Sequence, residues 1–137
     1  MTTKRTVLIV EDDQEIRETL KEIVAAEGYH TLEAQNGRVA LDLIDRGNQP
    51  CLILLDLMMP EMNGWEFLEK RRQNAVIAAI PTVVVTAAGL GATPFGATSI
   101  LKKPILLLEL ISLIEKHCGK NLSEVVRNLS KDTRSKE

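Results

Sequence analysis

Short apolar runs alternate along this chain with longer segments in which apolar residues recur every three or four positions. Residues 7–10, 51–55 and 81–85 are predominantly apolar runs, which is typical of strands buried on both faces of a parallel sheet. Two weaker runs, residues 29–34 and 98–101, complete a set of five predicted strands.

The segments between and after these strands show helical periodicity. The first helix is predicted to start after Asp13, which we interpret as its cap, and to end at Gly28. Further helices are predicted through Val39, Ala40, Leu43 and Ile44 to about Gly47, and over residues 65–72 and 105–117. Residues 87–97 are rich in glycine, and the pattern alone predicts no element there.

Strands that alternate with helices predict an α/β fold, a doubly wound five-stranded parallel sheet with helices on both faces. The length of 137 residues suits one domain, which we place at residues 1–118. Residues 119–137 are predicted to be a polar C-terminal extension, partly helical or disordered. Residues 75–101 are uncharged, but proline and glycine interrupt them, so no membrane span is predicted.

Composition narrows the class of protein. Aromatic residues make up only 3% of the chain, so the core must be aliphatic, and Trp65 and the loop methionines are predicted to pack. Seventeen basic residues against 19 acidic ones give no basic excess, which argues against direct nucleic-acid binding. Cys51 and Cys118 are far apart, and without a secretion signal we predict reduced thiols in a cytoplasmic protein.

Polar residues follow four of the predicted strands: Glu11, Asp12, Asp56, Thr86 and Lys103. Because the carboxyl ends of parallel strands meet at one edge of a sheet, these side chains are expected to converge. Three neighbouring carboxylates need a cation, and without thiols or imidazoles nearby an oxygen-preferring ion such as Mg²⁺ fits. Asp56 is then placed to attack phosphorus and form an aspartyl phosphate, while the metal, lysine and threonine stabilise the transferred group.

Four motifs resemble the receiver domain of two-component response regulators. In chain order they are VLIVEDD at 7–13, LLDLMMPEMNGWEFL at 54–68, VVVTA at 83–87 and KKP at 102–104. The resemblance covers about residues 4–118 and is carried most specifically by the run after Asp56. It implies the flavodoxin-like (βα)5 receiver fold, a Mg²⁺ cofactor and a phosphorelay function.

The resemblance assigns a role to each matching residue of the acidic group. Asp56 is implied to be the phosphoacceptor and a metal ligand. Asp12 is implied to bind the metal directly and Glu11 through water, with the backbone carbonyl of Met58 as a further ligand.

Two more residues match the family pattern at the ends of the later strands. Lys103 is implied to form a salt bridge with the phosphoryl group, and Thr86 to be the switch hydroxyl. The Lys103–Pro104 peptide bond is often cis in this family.

The chain departs from the family in two places. Ile100 stands where an aromatic residue is usual, and the interval from Thr86 to Lys103 is about one helical turn short. We therefore expect a shortened fourth helix. We also hypothesise a more apolar signalling face around Leu90 and Phe95 that could bind a partner or form a homodimer. The alternative is that these two side chains pack down on the shortened loop.

The leading interpretation is a single-domain response regulator that accepts a phosphoryl group from a histidine kinase or phosphotransfer protein. It would then switch a downstream protein partner, without direct contact to nucleic acid or membrane, and catalyse only its own phosphorylation and dephosphorylation. The alternative is a degenerate receiver that acts as a phosphorylation-independent binding module. An aspartyl-phosphate phosphatase is disfavoured, because such enzymes need a second acid where this chain has Met58.

Overall fold

The computed structural model describes residues 5–87 and 96–119. Its five strands are β1 (Thr6–Val10), β2 (His30–Ala34), β3 (Leu52–Asp56), β4 (Thr82–Thr86) and β5 (Ser99–Lys102). All neighbouring strands are parallel, in the order β2-β1-β3-β4-β5. The predicted five-stranded parallel sheet is therefore confirmed. The order reverses between β1 and β3, and ligands of such sheets bind at the carboxyl ends beside that reversal.

Five helices are described: α1 (Gln14–Ala26), α2 (Gly37–Asp45), α3 (Gly64–Arg72), α4 (Ala75–Ala78) and α5 (Leu107–Cys118). The pattern did not predict α4, because a four-residue helix is too short to show periodicity. It is fixed instead by Asn74, whose side chain accepts hydrogen bonds from the backbone N–H groups of Val76 and Ile77 at 3.0 and 3.3 Å. Across the described residues, every helix is too short or too polar for a membrane span.

Three of the predictions fall on residues that the structure does not describe. They are the shortened helix between β4 and β5, the apolar face around Leu90 and Phe95, and the C-terminal extension beyond residue 119. These three stay predictions.

Apolar side chains pack on both faces of the sheet. Alternate residues of β1 point to opposite faces, so Leu8 joins the cluster under α2 and α3, whereas Ile9 joins the cluster under α1 and α5. Phe67 and Ile114 are the fully buried helical anchors of the two clusters. This arrangement confirms the doubly wound architecture and leaves the carboxyl edge of the sheet for polar chemistry.

The local predictions for the loop and helix residues have mixed outcomes. Asp13 caps α1 as predicted, because its carboxylate accepts a hydrogen bond from the N–H of Ile16 at 3.1 Å. Met59 is buried, but Met58 is 70% exposed and Trp65 is 44% exposed, so the predicted packing is wrong for these two. Trp65 lies off the inward face of α3, which Gly64, Phe67, Leu68 and Arg71 form at helical spacing.

The prediction of two reduced thiols is wrong for this structure. Cys51 and Cys118 form a disulfide, with their Cα atoms 5.3 Å apart and a sequence separation of 67. Cys51 lies directly before β3, and Cys118 is the last residue of α5. Because α5 runs antiparallel to the strands, its end returns to the amino edge of the sheet, where β3 starts.

Candidate functional site

Three carboxylates meet at the carboxyl edge of β1 and β3. Pairing of Val10 with Leu55 places Glu11 beside Asp56, since each acid comes next in its own chain segment. One carboxylate oxygen from each of Glu11, Asp12 and Asp56 lies within 4.8 Å of the other two. Glu11 and Asp56 are buried, whereas Asp12 faces solvent. The predicted acidic cluster is thus brought together, with one open side.

Lys103 supplies a positive charge to the same place. Its Nζ lies 3.4 Å from a carboxylate oxygen of Glu11 and 3.8 Å from one of Asp56. The lysine comes directly after β5, and its N–H donates to the carbonyl oxygen of Thr86 at 2.7 Å. Thr86 is the buried last residue of β4, which lies next to β3. The Lys103–Pro104 peptide bond is cis, as the family resemblance implied.

The electrostatics of the cluster indicate a shortage of positive charge. Burial raises the pKa of Glu11 to about 7, and the charge of Asp56 adds to that shift while Lys103 opposes it. Burial also raises the pKa of Asp56, against the opposing effect of Lys103. One ammonium group faces three carboxylates, so a further cation would relieve the repulsion among them.

The donor set at this edge fits a divalent cation of the Mg²⁺ type. All three side-chain donors are carboxylate oxygens, which hard cations prefer, and the exposed side of Asp12 leaves space for water ligands. Against the larger effect of burial, the backbone of Met58 lowers the pKa of Asp56, which places this part of the loop main chain beside the acid. The role of the Met58 carbonyl as a metal ligand stays a prediction.

Gly64 is a residue of this site to which the sequence analysis assigned no role. A Cβ atom at this position would lie 2.7 Å from the carbonyl oxygen of Asp56 and from Cα of Leu57. Its N–H also donates to the carbonyl oxygen of Leu57 at 2.9 Å. Only glycine lets the first turn of α3 approach the end of β3 this closely. The available signal was the Asn-Gly pair directly before an amphipathic segment.

The loop between β3 and α3 also holds a strained residue. Glu61 has a φ angle of 67°, in the left-handed region that residues other than glycine and asparagine rarely adopt. The next residues start α3 through a capping box. The Asn63 side chain accepts a hydrogen bond from the N–H of Glu66, and the Glu66 side chain accepts one from the N–H of Asn63. The loop is thus fixed at both ends beside Asp56.

Ile100, the departure from the family pattern, lies within β5. It pairs with Val84 and packs half-buried against the apolar cluster under α2 and α3. The isoleucine side chain fills space at the edge of the core. This position therefore contributes packing and carries no aromatic ring that could rotate.

Comparison with known proteins agrees with the fold. Residues 7–115 match the response regulator receiver domain. That match covers most of the chain, and the chain therefore belongs to the response regulator receiver domain family. Receiver domains of this family act in two-component signalling.

Two relatives show how this chain compares in length. It is 38% identical over 112 residues to the response regulator MprA of Mycolicibacterium vanbaalenii, covering 77% of this chain and 47% of MprA. It is 31% identical over 120 residues to the polar-differentiation response regulator DivK of Brucella anthropi, covering 84% of this chain and 97% of DivK. The chain thus spans about half of MprA and nearly all of DivK.

A solved structure gives the same picture of the fold. A putative response regulator from Chloroflexus aurantiacus superposes with a TM-score of 0.77 at 26% identity, covering 86% of this chain and all of that one.

Proposed function

We propose that this chain is a single-domain response regulator of the cytoplasm that accepts a phosphoryl group on Asp56. The donor would be a histidine kinase or a histidine phosphotransfer protein. The observation that carries the proposal is the position of the Asp56 carboxylate, within 4.8 Å of both acids of the acidic pair and 3.8 Å from the Lys103 ammonium. The near-complete overlap with DivK supports the single-domain assignment.

The chemistry requires a nucleophile and a means of holding the transferred group. One oxygen of Asp56 attacks phosphorus while the bond from phosphorus to the donor imidazole nitrogen breaks, and the imidazole leaves with the electron pair. The Lys103 ammonium, 3.8 Å from Asp56, is placed to pair with a phosphoryl oxygen once that group arrives. The Thr86 hydroxyl, at the end of the adjacent strand, is proposed as the group that senses the new oxygens.

Mg²⁺ is the proposed cofactor, as it is in receiver domains generally. Glu11, Asp12 and Asp56 would hold it, with the Met58 carbonyl as a further ligand. When bound, the ion offsets the negative charge that accumulates on the transferred phosphoryl group. The proposal includes no other substrate, so the chain would catalyse only its own phosphorylation and dephosphorylation and then switch a protein partner.

A degenerate receiver is the second candidate, and Ile100 is the observation that favours it. With an aliphatic side chain packed at this position, coupling through a rotating aromatic ring is absent. In that case the partner would bind the unphosphorylated chain, and Asp56 would take up no phosphoryl group.

A nitrogen-linked phosphoryl donor separates the two candidates. The chain is incubated with phosphoramidate and Mg²⁺, and intact-mass spectrometry follows the gain of one phosphoryl group that hydroxylamine then removes. We expect neither the Asp56→Asn variant nor the parent chain in EDTA to gain the phosphoryl group. An unmodified, folded chain that also fails to bind Mg²⁺ would leave the degenerate receiver as the better account.

A further inference from the structure

Arg17 holds the main chain that carries the acidic pair. It lies in the first turns of α1, and its Nη1 donates to the carbonyl oxygen of Glu11 at 2.8 Å. The same nitrogen lies 3.5 Å from the carbonyl oxygen of Asp12. The arginine therefore touches the backbone of two proposed metal ligands without touching their carboxylates.

Arg17 is itself held in place by a chain of ion pairs with Glu33 of β2 and Lys21 of α1. Its Nε lies 3.4 Å from one carboxylate oxygen of Glu33, with only 17% of the arginine side chain exposed. The other oxygen of Glu33 lies 3.1 Å from Nζ of Lys21, one helical turn further along α1. The planar guanidinium uses Nε on one partner and Nη1 on the other, a geometry that an ammonium group does not reproduce.

We infer that Arg17 is a positioning residue for the Mg²⁺ site, and this inference rests on the proposed function. Mg²⁺ demands nearly ideal octahedral geometry, so a small rotation of the main chain at residues 11–12 misdirects both carboxylates. Groups that orient metal ligands commonly change metal affinity by about 10- to 100-fold when they are removed. Arg17 acts in this way through the two carbonyl groups.

The direction of the change in Mg²⁺ affinity distinguishes a positioning role of Arg17 from an effect of its charge. A cation near the site repels Mg²⁺, so removing the charge of Arg17 would by itself tighten metal binding. Loss of positioning has the opposite effect and weakens it. Arg17→Lys keeps the charge but loses the forked geometry, so it reports on positioning alone.

The test is a Mg²⁺ titration at constant ionic strength. Fluorescence of Trp65, the single tryptophan, and the rise in melting temperature with added MgCl₂ give two independent measures of binding. The variants are Arg17→Lys and Arg17→Met, and Arg72→Met serves as the matched control. Arg72 pairs with Glu69 on the exposed face of α3, at the end far from Asp56.

We expect both Arg17 variants to bind Mg²⁺ about 10- to 100-fold more weakly, and Arg72→Met to bind like the parent chain. Glu33→Gln should weaken binding less, and should add nothing in the Arg17→Met background, since Glu33 acts through Arg17. A lower melting temperature with an unchanged response to MgCl₂ would mean a purely structural role. Tighter binding by Arg17→Met with unchanged Arg17→Lys would show a charge effect, and either result overturns the inference. A folded parent chain that binds no Mg²⁺ overturns the proposed function as well.

Discussion

The two edges of the sheet differ in the interactions that they contain. At the carboxyl edge, Glu11 and Asp56 are buried beside each other, and burial raises the pKa of both acids. At the amino edge, a disulfide joins Cys51 to Cys118, and the Tyr29 hydroxyl donates to the carbonyl oxygen of Gly119 at 2.5 Å. The carboxyl edge retains repulsion that a cation can relieve, whereas the amino edge ties the last helix to the sheet. Binding chemistry and structural restraint thus lie at opposite ends of the same strands.

Removing the disulfide should give the largest change in stability. The cross-link closes a loop of 67 residues, for which chain entropy predicts about 4 kcal/mol of stabilisation as an upper value. The double variant Cys51→Ala/Cys118→Ala is therefore expected to unfold at a markedly lower urea concentration. Reductant should lower the urea midpoint of the parent chain to the same value. Because the phosphoryl site lies at the other edge, Mg²⁺ binding below the unfolding transition should not change.

Reductant supplies the matched control for that experiment. The double alanine variant must be insensitive to it, since it carries no sulfur pair to reduce. If the urea midpoint of the parent chain is the same with and without reductant, the amino edge does not restrain the fold as described.

Gly64→Ala should produce the next largest effect, and it should affect both stability and the site. The added Cβ would lie 2.7 Å from main-chain atoms of Asp56 and Leu57, so the start of α3 must move. Overpacking of this kind costs about 1–3 kcal/mol. Because the displaced chain carries Asp56, Mg²⁺ binding should weaken as well.

Gly47→Ala is the matched control for that substitution. Gly47 has a φ of 102° but nothing within 4 Å of its Cβ position, so alanine there brings backbone strain without a clash. Urea unfolding and Mg²⁺ titration of the two variants should separate them. Equal Mg²⁺ affinity in Gly64→Ala and the parent chain would contradict the assigned role of Gly64.

The pH dependence of the metal-free chain should be opposite to that of a typical paired carboxylate. The folded pKa of Glu11, about 7, lies above its ordinary value of 4.5, so its ionisation disfavours the fold. Stability without metal should thus increase as pH falls from about 8 to about 6, by about 1 kcal/mol.

Melting curves in EDTA and in MgCl₂ test this prediction, with Asp56→Asn as the comparison. The variant removes one source of the repulsion, so its stability should depend less on pH. Saturating Mg²⁺ should also flatten the dependence in the parent chain. Stability that decreases steadily as the pH is lowered from about 8 to about 6 in EDTA would contradict the raised pKa of Glu11.

Glu61→Gly should have the smallest effect, a slight stabilisation. The left-handed φ of 67° strains a glutamate by about 1–2 kcal/mol, and the greater freedom of glycine in the unfolded chain offsets part of the gain. The net gain expected in urea unfolding is about 0.5 kcal/mol. Glu61→Ala, which keeps the strain, is the control, and equal stability of the two variants would exclude strain at this position.

The same comparison explains what could be predicted from the sequence. The carboxyl edge was predictable because Glu11 and Lys103 come directly after strands and Asp56 ends one, and parallel strands bring such positions together. The amino edge was not, because the contact between Cys51 and Cys118 depends on how α5 packs across the sheet. Two cysteines separated by 67 residues carry no local signal of that packing.

Positions that depend on a precise close approach were also missed. The Asn-Gly pair at 63–64 indicated a helix start, but only the structure shows the Gly64 position against the main chain of Asp56. The hydrogen bond from Arg17 to the Glu11 carbonyl likewise depends on a side-chain conformation that periodicity does not encode.

The central claim is that Asp56 is the phosphoacceptor, and mapping the modified residue tests it most directly. The chain is phosphorylated with an acyl phosphate and Mg²⁺, and borohydride then reduces the aspartyl phosphate to homoserine, which peptide mass spectrometry locates. We predict homoserine at position 56 in the parent chain, with or without the disulfide, and none in EDTA. Homoserine at another acid, or an unmodified position 56 in a folded chain with bound Mg²⁺, would contradict the claim.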